Sequence, residues 1–221
     1  MKNKLIVAIV FLGVLCLAAP AVAKVDFARL AGRILIVVDK NGEAYYLPPQ
    51  SKGKSAEYLW HPSGAFALMR KYGVGITNND LTRIQVGDLN LASSYDTDRD
   101  GLSDAVELTF GTDRSNRDTD GDGYNDKEEI VSGHSPLSKD KTLIVDQAFA
   151  KKQNGRIFLQ VESKGEAWYI NPADSKRYYL GAPADAFEIM KKLSLGITSK
   201  DFSEMKETCV GVGTVCVSFG D

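Results

Sequence analysis

The sequence predicts an α+β fold in which two small modules, each a β-hairpin followed by a helix, are joined by an acidic segment of loops with short helices. Three observations predict it: two stretches of the chain repeat each other, each passes from strand-like alternation to helical spacing, and the residues between them carry regularly spaced carboxylates. The predicted segments are a leader at 1–23, a first module at 24–90, the acidic segment at 91–140, a second module at 141–206 and a tail at 207–221.

The leader has the pattern of an export signal. A basic start at 1–4 precedes about fifteen apolar residues, and residues 21–23 form a cleavage site of the A-x-A type. The apolar run is shorter than the roughly twenty residues of a membrane span. A cleaved Sec-type signal and an extracellular or cell-surface location are therefore expected. An uncleaved anchor and a lipid anchor at Cys16 are the alternatives, although Leu15 is bulky for a lipidation site.

The modules are two copies of one sequence pattern. Residues 32–49 match residues 155–172, and residues 57–81 match residues 178–202 after a loop that is two residues longer in the first copy. A repeat of this length indicates that both copies adopt the same local structure.

Each copy begins with a predicted β-hairpin. In the first copy, side chains alternate from Ile34 to Val38 with the period of a strand. Asn41-Gly42 follows as the signal of a two-residue turn, and the second copy keeps the glycine. The return strand is expected to end at Pro48, because proline cannot donate to a β-ladder.

A short third strand and a helix complete each copy. The third strand is expected at 58–59 and at 178–180. A spacing of i, i+3 predicts the helix, with apolar residues at Phe66, Met69 and Tyr72 and at Phe187, Met190 and Leu193. A proline stands where the first turn begins, and Thr-x-x-Asp at 77–80 and 198–201 predicts a capped last short helix.

Adjacent aromatic residues recur in the modules, at 45–46, 168–169 and 178–179. Neighbouring residues of a strand point to opposite faces, so one of each pair is expected in the core that so small a module needs. The alternative is an exposed platform on which sugar rings stack.

The second module also carries the phrase GEAWY…RYYLG…DAF, between residues 165 and 187. This phrase resembles a repeat of bacterial cell-surface and wall-associated proteins. The resemblance implies a location at the cell surface and no particular chemistry.

The acidic segment is organised as two loops. Residues 96–129 carry twelve acidic and four basic side chains, a net charge of −8 within a chain of formal charge −2. Such a segment either stays disordered or is held by a cation. Its carboxylates follow the spacing D-x-D-x-D-G-x-x-D-x-x-E twice, beginning at Asp96 and at Asp118. This is the spacing of a calcium-binding loop.

The candidate ligands occupy equivalent positions in both loops. Carboxylates at positions 1, 3 and 5 surround one side of an ion, and glycine at position 6 permits the turn. Position 7 offers its backbone carbonyl, position 9 binds directly or through water, and the glutamate at position 12 closes the shell. The candidate metal ligands are Asp96, Asp98, Asp100, Leu102, Asp104, Glu107, Asp118, Asp120, Asp122, Tyr124, Asp126 and Glu129.

Calcium is the expected ion at both sites. It accepts six to eight oxygen ligands, whereas magnesium requires stricter octahedral geometry and softer metals prefer His or Cys, which both loops lack. A solvated acidic linker is the plain alternative. It does not explain why both loops keep glycine at position 6 and glutamate at position 12.

Residues 96–136, with DTDRDGLSD…GTD…DTDGDGYND, resemble bacterial thrombospondin type 3 repeats. The resemblance implies calcium-dependent folding with little conventional core. The ten residues 108–117 between the loops leave no room for the long helices of a paired EF-hand. A dockerin-like protein-interaction module is a further alternative, although dockerin loops usually carry Asn. Two bound ions are expected to set the distance and angle between the modules.

Two cysteines, Cys209 and Cys216, follow the second module and enclose a short loop with two glycines. In an exported protein such a pair indicates a disulfide, and two free thiols are the alternative.

The expected function is that of a secreted or cell-surface calcium-binding structural or adhesive protein. The alternative function is that of a protein whose aromatic modules bind a wall polysaccharide or another glycan. A further surface protein is also a possible partner. The near-neutral net charge gives no reason to expect a nucleic acid partner, and a membrane is expected only if the leader is uncleaved. Catalysis is not expected, because neither His61 nor His134 has a nucleophile motif beside it and no phosphate-binding glycine loop occurs.

Overall fold

Two four-stranded sheets carry the two sequence repeats in a computed structural model, which describes residues 25–59, 61–87, 95–139 and 142–205. The predicted leader and the cysteine pair lie outside the described residues. The combination of sheets and short helices confirms the α+β class. Among the described residues, none of the helices has the length and apolar composition that crossing a membrane requires.

Within its described residues, the first repeat contains four strands and two helices. In chain order they are β1 (Ile34–Val37), β2 (Ala44–Tyr46), β3 (Glu57–Leu59), α1 (Pro62–Tyr72), β4 (Gly73–Ile76) and α2 (Asn78–Thr82). Single turns of 3-10 helix occur at Phe27–Leu30 and Pro49–Ser51. The predicted strands and the proline-initiated helix are present, and β4 is an additional strand that begins at the residue after α1.

Two short helices of seven residues follow in the acidic segment, α3 (Asp104–Phe110) and α4 (Asp126–Ser132). The second repeat then comprises α5 (Gln147–Lys152), β5 (Ile157–Gln160), β6 (Ala167–Asn171), β7 (Lys176–Tyr179), α6 (Pro183–Lys192), β8 (Leu195–Ile197) and α7 (Ser199–Ser203). The hydroxyls of Thr77 and Thr198 accept hydrogen bonds from the amides of Asp80 and Asp201, so the predicted N-caps of α2 and α7 form.

The hairpin turns are longer than predicted. The amide of Val37 donates to the carbonyl of Glu43, which leaves a five-residue loop in place of a two-residue Asn-Gly turn. Gly42 adopts a left-handed conformation with φ of 72°, but Asn41 does not, and a type I′ turn requires both. The longer loop has a tertiary role, because the carboxylate of Asp39 accepts hydrogen bonds from the amide and hydroxyl of Ser199 at 2.7 and 2.8 Å.

The two repeats exchange their last strands. One sheet has the order β3-β2-β1-β8 and the other β4-β5-β6-β7, so each three-stranded hairpin unit receives its fourth strand from the other repeat. Both exchanged strands pair in parallel, with Leu35 opposite Leu195 and Val74 opposite Phe158. The predicted segment boundaries stay a prediction. The exchanged strands hold the two repeats together, so these strand pairs, as well as the acidic segment, set the spacing of the modules.

One apolar core lies between the sheets and belongs to both repeats. Helices α1 and α6 pack against each other, and the core residues are Ile34, Ala44, Tyr46, Leu59, Ala65, Leu68, Met69, Ile157, Ala167, Tyr169, Tyr178, Leu180, Ala186, Ile189 and Met190. Each sheet also carries a second apolar cluster on its other face, so the central strands are covered on both sides, whereas Val74 in β4 and Leu195 in β8 stay exposed.

A symmetric contact joins the repeats at two glycines. The hydroxyl of Tyr46 donates to the carbonyl of Gly155, and that of Tyr169 donates to the carbonyl of Gly32, both at 2.7 Å. A β-carbon at Gly32 would lie 2.7 Å from the Cα atom of Gly155. Only glycine therefore permits the two backbones to approach so closely.

Five of the six paired aromatic residues lie in the core. Tyr45, Tyr46, Trp168, Tyr169 and Tyr178 are at most 7% exposed. Both members of the first two pairs are buried because both faces of the central strands are covered, whereas Tyr179 is half-buried against the ring of Trp168. These five rings offer no exposed face for stacking with a sugar.

Candidate metal centre

Each acidic loop closes on its first carboxylate. Asp96 accepts hydrogen bonds from the amides of Arg99 and Gly101 at 2.7 and 3.0 Å. Asp118 does the same in the second loop, accepting from Gly121 and Gly123 at 2.8 and 2.9 Å. These bonds turn the chain around the position that an ion would occupy.

Glycine at position 6 makes this turn possible. Gly101 and Gly123 have φ of 95° and 104°, in the left-handed region that other residues rarely adopt. A helix then begins at position 9 of each loop, and Gly111 and Gly133 end these helices with φ of 82° and 87°. The local sequence thus accounts for both the loop and the short helix that follows it.

Three carboxylates converge in each loop. One oxygen from each of Asp96, Asp98 and Asp100 lies within 4.8 Å of the others, and the same holds in the second loop for Asp118, Asp120 and Asp122. Like charges at this separation repel each other, so a cation between them would stabilise the arrangement.

The glutamates at position 12 are buried without partners. Glu107 is 0% exposed and Glu129 is 4% exposed. Within the described residues, neither carboxylate oxygen of Glu107 has a hydrogen-bond partner, and Oε2 of Glu129 has none. Oδ2 of Asp98 and Oδ2 of Asp120 are buried and unpartnered in the same way. Buried polar atoms ordinarily have partners. A hard cation that binds these oxygens as ligands would supply the partner that they lack.

The electrostatics of the glutamates point to the same conclusion. Burial, and then repulsion from Asp98 and Asp100, raises the pKa of Glu107 to about 7. Burial and repulsion from Asp120 and Asp122 raise the pKa of Glu129 to about 7. A cation in each loop would favour the ionised form, because it supplies the opposite charge that the carboxylate lacks.

The residues at position 7 differ between the loops. The side chain of Leu102 is fully buried beside Val106 and Ile130, whereas that of Tyr124 is 64% exposed. Only the backbone carbonyl is expected to bind at this position, so the difference leaves the predicted ligand set unchanged. The ligand role of both carbonyls stays a prediction.

The position 9 carboxylates have partners already. Both oxygens of Asp104 accept hydrogen bonds from Thr97, one from the amide and one from the hydroxyl, each at 2.9 Å. Asp126 accepts from the amide and hydroxyl of Thr119 at 2.8 and 2.7 Å. Threonine at position 2 was not singled out in the sequence, although its recurrence in both DTD triplets is a signal that could have identified it.

The loops contact each other directly. The guanidinium Nε of Arg117, at the start of the second loop, donates to the carbonyl of Asp98 at 2.6 Å. The amide of Lys127 in α4 donates to Oδ2 of Asp100 at 3.3 Å. The two candidate sites therefore belong to one folded segment.

A small apolar cluster attaches this segment to the second sheet. It comprises Val86, Leu102, Val106 and Ile130, with Phe110 and Tyr179 packed against it. The ring of Phe110 in α3 also meets the ring of Trp168 edge-on, with centroids 5.9 Å apart.

Arg177 completes this attachment and was missed by the sequence analysis. Its guanidinium lies over the rings of Phe110 and Trp168, 5.5 and 4.8 Å from their centroids. The residue is 2% exposed, and burial lowers its pKa to about 9. The sequence offers no signal for it, because an arginine in a polar third strand is expected to face solvent.

The two histidines have local structural roles. The ring Nδ1 of His61 accepts a hydrogen bond from the amide of Ser63 at the start of α1. The ring Nδ1 of His134 lies 3.0 Å from the hydroxyl of Ser132.

Comparison with protein families finds the bacterial TSP3 repeat twice, at residues 96–113 and 118–133. This match confirms the resemblance of the acidic segment to bacterial thrombospondin type 3 repeats, a calcium-binding structural family. The flanking modules lie outside the match, so their resemblance to a surface-protein repeat stays a prediction. Comparison with curated proteins found no match, and neither did comparison with solved structures.

Proposed function

We propose that this protein is an exported calcium-binding structural protein in which two Ca²⁺ ions rigidify the acidic connector between the two repeat modules. The observation that carries the proposal is the burial of Glu107 and Glu129 with unpartnered carboxylate oxygens, next to three converging aspartates in each loop. The TSP3 matches over both loops support the choice of calcium.

The residues that would hold each ion with six oxygens are the aspartates at positions 1, 3 and 5, the carbonyl at position 7 and both oxygens of the glutamate, and the aspartate at position 9 would add a ligand directly or through water. A bound ion supplies two positive charges to a segment whose own net charge is −8. The six protein oxygens fit the range of six to eight ligands that calcium accepts. Magnesium usually keeps several waters and is bound by few carboxylates, so these ligand-rich loops suit it less well.

The ions would act on the connector and its attachment to the body. Among the described residues, the apolar cluster that holds the connector contains four buried residues, Val86, Leu102, Val106 and Ile130. So small a cluster cannot by itself offset the chain entropy and charge repulsion of the segment. Calcium would therefore decide whether α3 and α4 stay folded against the second sheet.

We propose an extracellular or cell-surface location and a structural or adhesive role, on the basis of the leader, and no catalytic role. Protein partners at the cell surface would bind the connector only when calcium is bound and the connector is folded. The burial of five of the six paired aromatic rings weakens the case for glycan binding, and the TSP3 match favours this family over a dockerin-like module.

The first prediction is calcium-dependent folding of the connector. Isothermal titration of the chain without its leader is expected to show two calcium sites, with affinities in the roughly 10⁻⁴–10⁻³ M range of extracellular modules. Far-UV circular dichroism should show a gain of helix at the same concentrations, because α3 and α4 become ordered.

The control is the same titration with magnesium, together with Asp120→Ala, which should abolish binding at the second loop alone. Absence of both heat and a helical gain at millimolar calcium would exclude the proposed function.

A further inference from the structure

The connector covers the guanidinium of Arg177, which belongs to β7 of the second sheet. We propose that the buried charge of this arginine opposes closure of the connector, so that closure requires more calcium than it would with an uncharged residue. Closure here means the folding of α3 and α4 against the second sheet, and opening means their release. This inference rests on the proposed function, because it concerns what calcium binding must overcome.

The first argument is burial without a counter-charge. Arg177 is 2% exposed, and its Nε has no hydrogen-bond partner among the described residues. None of the ion pairs between described residues includes it. Removing an ion from water is unfavourable unless an opposite charge accompanies it, and burial accordingly lowers the pKa of Arg177 to about 9.

The second argument concerns the two aromatic rings beside the guanidinium. The rings of Phe110 and Trp168 lie 5.5 and 4.8 Å from it, within the roughly 6 Å over which a cation is attracted to a ring face. Trp168 belongs to the second sheet and stays beside Arg177 whether the connector is closed or open. Closure therefore adds the attraction to Phe110 and removes water, and one ring attracts a cation less strongly than the water that it displaces.

The third argument is that the backbone holds Arg177 in place. Its amide donates to the carbonyl of Gln85, and its carbonyl accepts from the amide of Gly87, both at 2.9 Å. On the other side of the strand, Ile170 of β6 pairs with it. Because a strand paired on both edges fixes the face on which each side chain lies, the guanidinium stays beneath the connector while the connector is closed.

The fourth argument is a comparison of the two repeats. Tyr58 in β3 and Tyr179 in β7 have equivalent register positions opposite the second strand, so Ala56 is the counterpart of Arg177, two residues earlier in each case. Ala56 is half-buried and packs against the apolar cluster of the first sheet. The arginine thus stands in the sheet that the connector covers, whereas the other sheet has a small uncharged residue at this position.

The buried charge changes how much calcium the connector needs. Ions that bind the closed form shift the equilibrium toward closure, and a less favourable closing equilibrium raises the calcium concentration at the midpoint. Since two ions share one closing step, a tenfold change in the closing equilibrium moves this midpoint by about threefold.

The experiment uses Arg177→Met, which keeps a long side chain beside both rings and removes the charge. Far-UV circular dichroism and hydrogen exchange of the α3 amides follow closure during a calcium titration, and hydrogen exchange in EDTA measures closure without calcium. The matched control is Lys176→Met, at the neighbouring half-buried position of β7. It removes the same charge from the chain, and so it accounts for the general effect of net charge on calcium binding.

The expected midpoint of calcium-dependent closure is at least about threefold lower in Arg177→Met than in Lys176→Met. In EDTA, the α3 amides of Arg177→Met should exchange about tenfold more slowly than those of the control, because the closed form is more populated.

A midpoint in Arg177→Met that equals that of the control would overturn the inference, and a higher midpoint would show instead that Arg177 anchors the connector through the rings. Arg177→Leu makes the same comparison if exchange of the β5 and β6 amides shows that Arg177→Met does not fold. A parent chain without any response to calcium would exclude the proposed function, and exchange of the α3 amides in EDTA would still test the role of Arg177.

Discussion

At the scale of single residues, the molecule places two glutamates where a carboxylate without a cation is unfavourable. Glu107 and Glu129 are buried, and repulsion from the aspartates of their own loops adds to the cost of ionisation. The folded chain without metal therefore holds protons on these side chains more tightly than the unfolded chain does.

This difference predicts how stability without calcium depends on pH. The pKa of each glutamate is about 7 in the folded chain, compared with the ordinary value of 4.5 that applies in the unfolded chain. Because the folded chain binds these protons more tightly than the unfolded chain, it is fully stabilised below about pH 4.5. This stabilisation decreases as the pH rises and is lost above about pH 7. In EDTA the free energy that keeps the connector folded should fall between pH 5 and pH 8, by at most about 3 kcal/mol for each glutamate, so that the connector unfolds toward the upper end of this range.

The aspartates with lowered pKa values do not change this sign. Asp113, Asp118 and Asp146 lose their contribution only as pH falls below about 4, outside the measured window. The double variant Glu107→Gln/Glu129→Gln is the control, because it imitates the protonated state at every pH. It should show no fall in EDTA and no stabilisation by calcium, and a fall equal to that of the parent would contradict the assignment to these two residues.

At the scale of elements, the exchange of strands follows from how each helix ends. Helix α1 ends at Tyr72, and β4 begins at Gly73 with an extended backbone and no intervening loop. The chain thus runs directly onward to the hairpin of the other repeat. In the second repeat, α6 is likewise followed by the exchanged strand β8, after a short turn between them.

The glycine contact between the repeats predicts an unusually sensitive position. Gly155→Ala should destabilise the protein by at least about 3 kcal/mol, because the added carbon meets the backbone of Gly32 and φ is positive. Chemical denaturation in saturating calcium would measure the change.

The matched control is Gly165→Ala. Gly165 also has a positive φ, 86°, but nothing lies within 4 Å of the added carbon. Its cost should be limited to backbone strain, about 1 kcal/mol. Equal destabilisation by the two variants would show that the close approach of Gly32 and Gly155 contributes nothing.

At the scale of the whole molecule, the two repeats are held to each other by one kind of interaction and the connector is held to the second sheet by another. The repeats are joined by parallel strand pairs and a shared apolar core, while the connector is joined to the second sheet by a small cluster and its candidate ions. Loss of calcium should therefore loosen the connector and leave the repeats together.

Cleavage of the connector tests this separation. A recognition sequence for a specific protease, inserted between Asp113 and Arg117 in an exposed turn, would allow the chain to be cut between the two loops. After cleavage the two fragments should still elute as one species in size-exclusion chromatography, both with calcium and in EDTA, because each supplies a strand to the other's sheet.

Two further measurements sharpen this test. Cleavage should be faster in EDTA than in calcium, since calcium orders the loops on either side of the cut. Fragments that separate without denaturant in either condition would contradict the strand exchange, whereas fragments that separate only in denaturant would agree with it.

Local residues determined most of the elements and the candidate site. The alternation from Ile34, the proline that opens α1 and the threonine caps each act through neighbours within a few positions. The acidic loops are equally local, because the glycine at position 6 and the aspartate at position 1 turn the chain with bonds that span at most five residues. The sequence therefore predicted the loops, the short helices after them and the repeated module.

Only the tertiary structure decided which sheet each last strand joins, which aromatic faces are covered and where the carboxylates of Asp104 and Asp126 point. The two repeats have the same pattern, so their hairpins offer equivalent edges and no sequence signal distinguishes pairing within a repeat from pairing between repeats. The choice depends on the direction in which each helix delivers the chain. The burial of Tyr45 depends on Phe202 of α7, which follows an exchanged strand, and the burial of Trp168 and Arg177 depends on Phe110 of the connector, so the tertiary structure decides both.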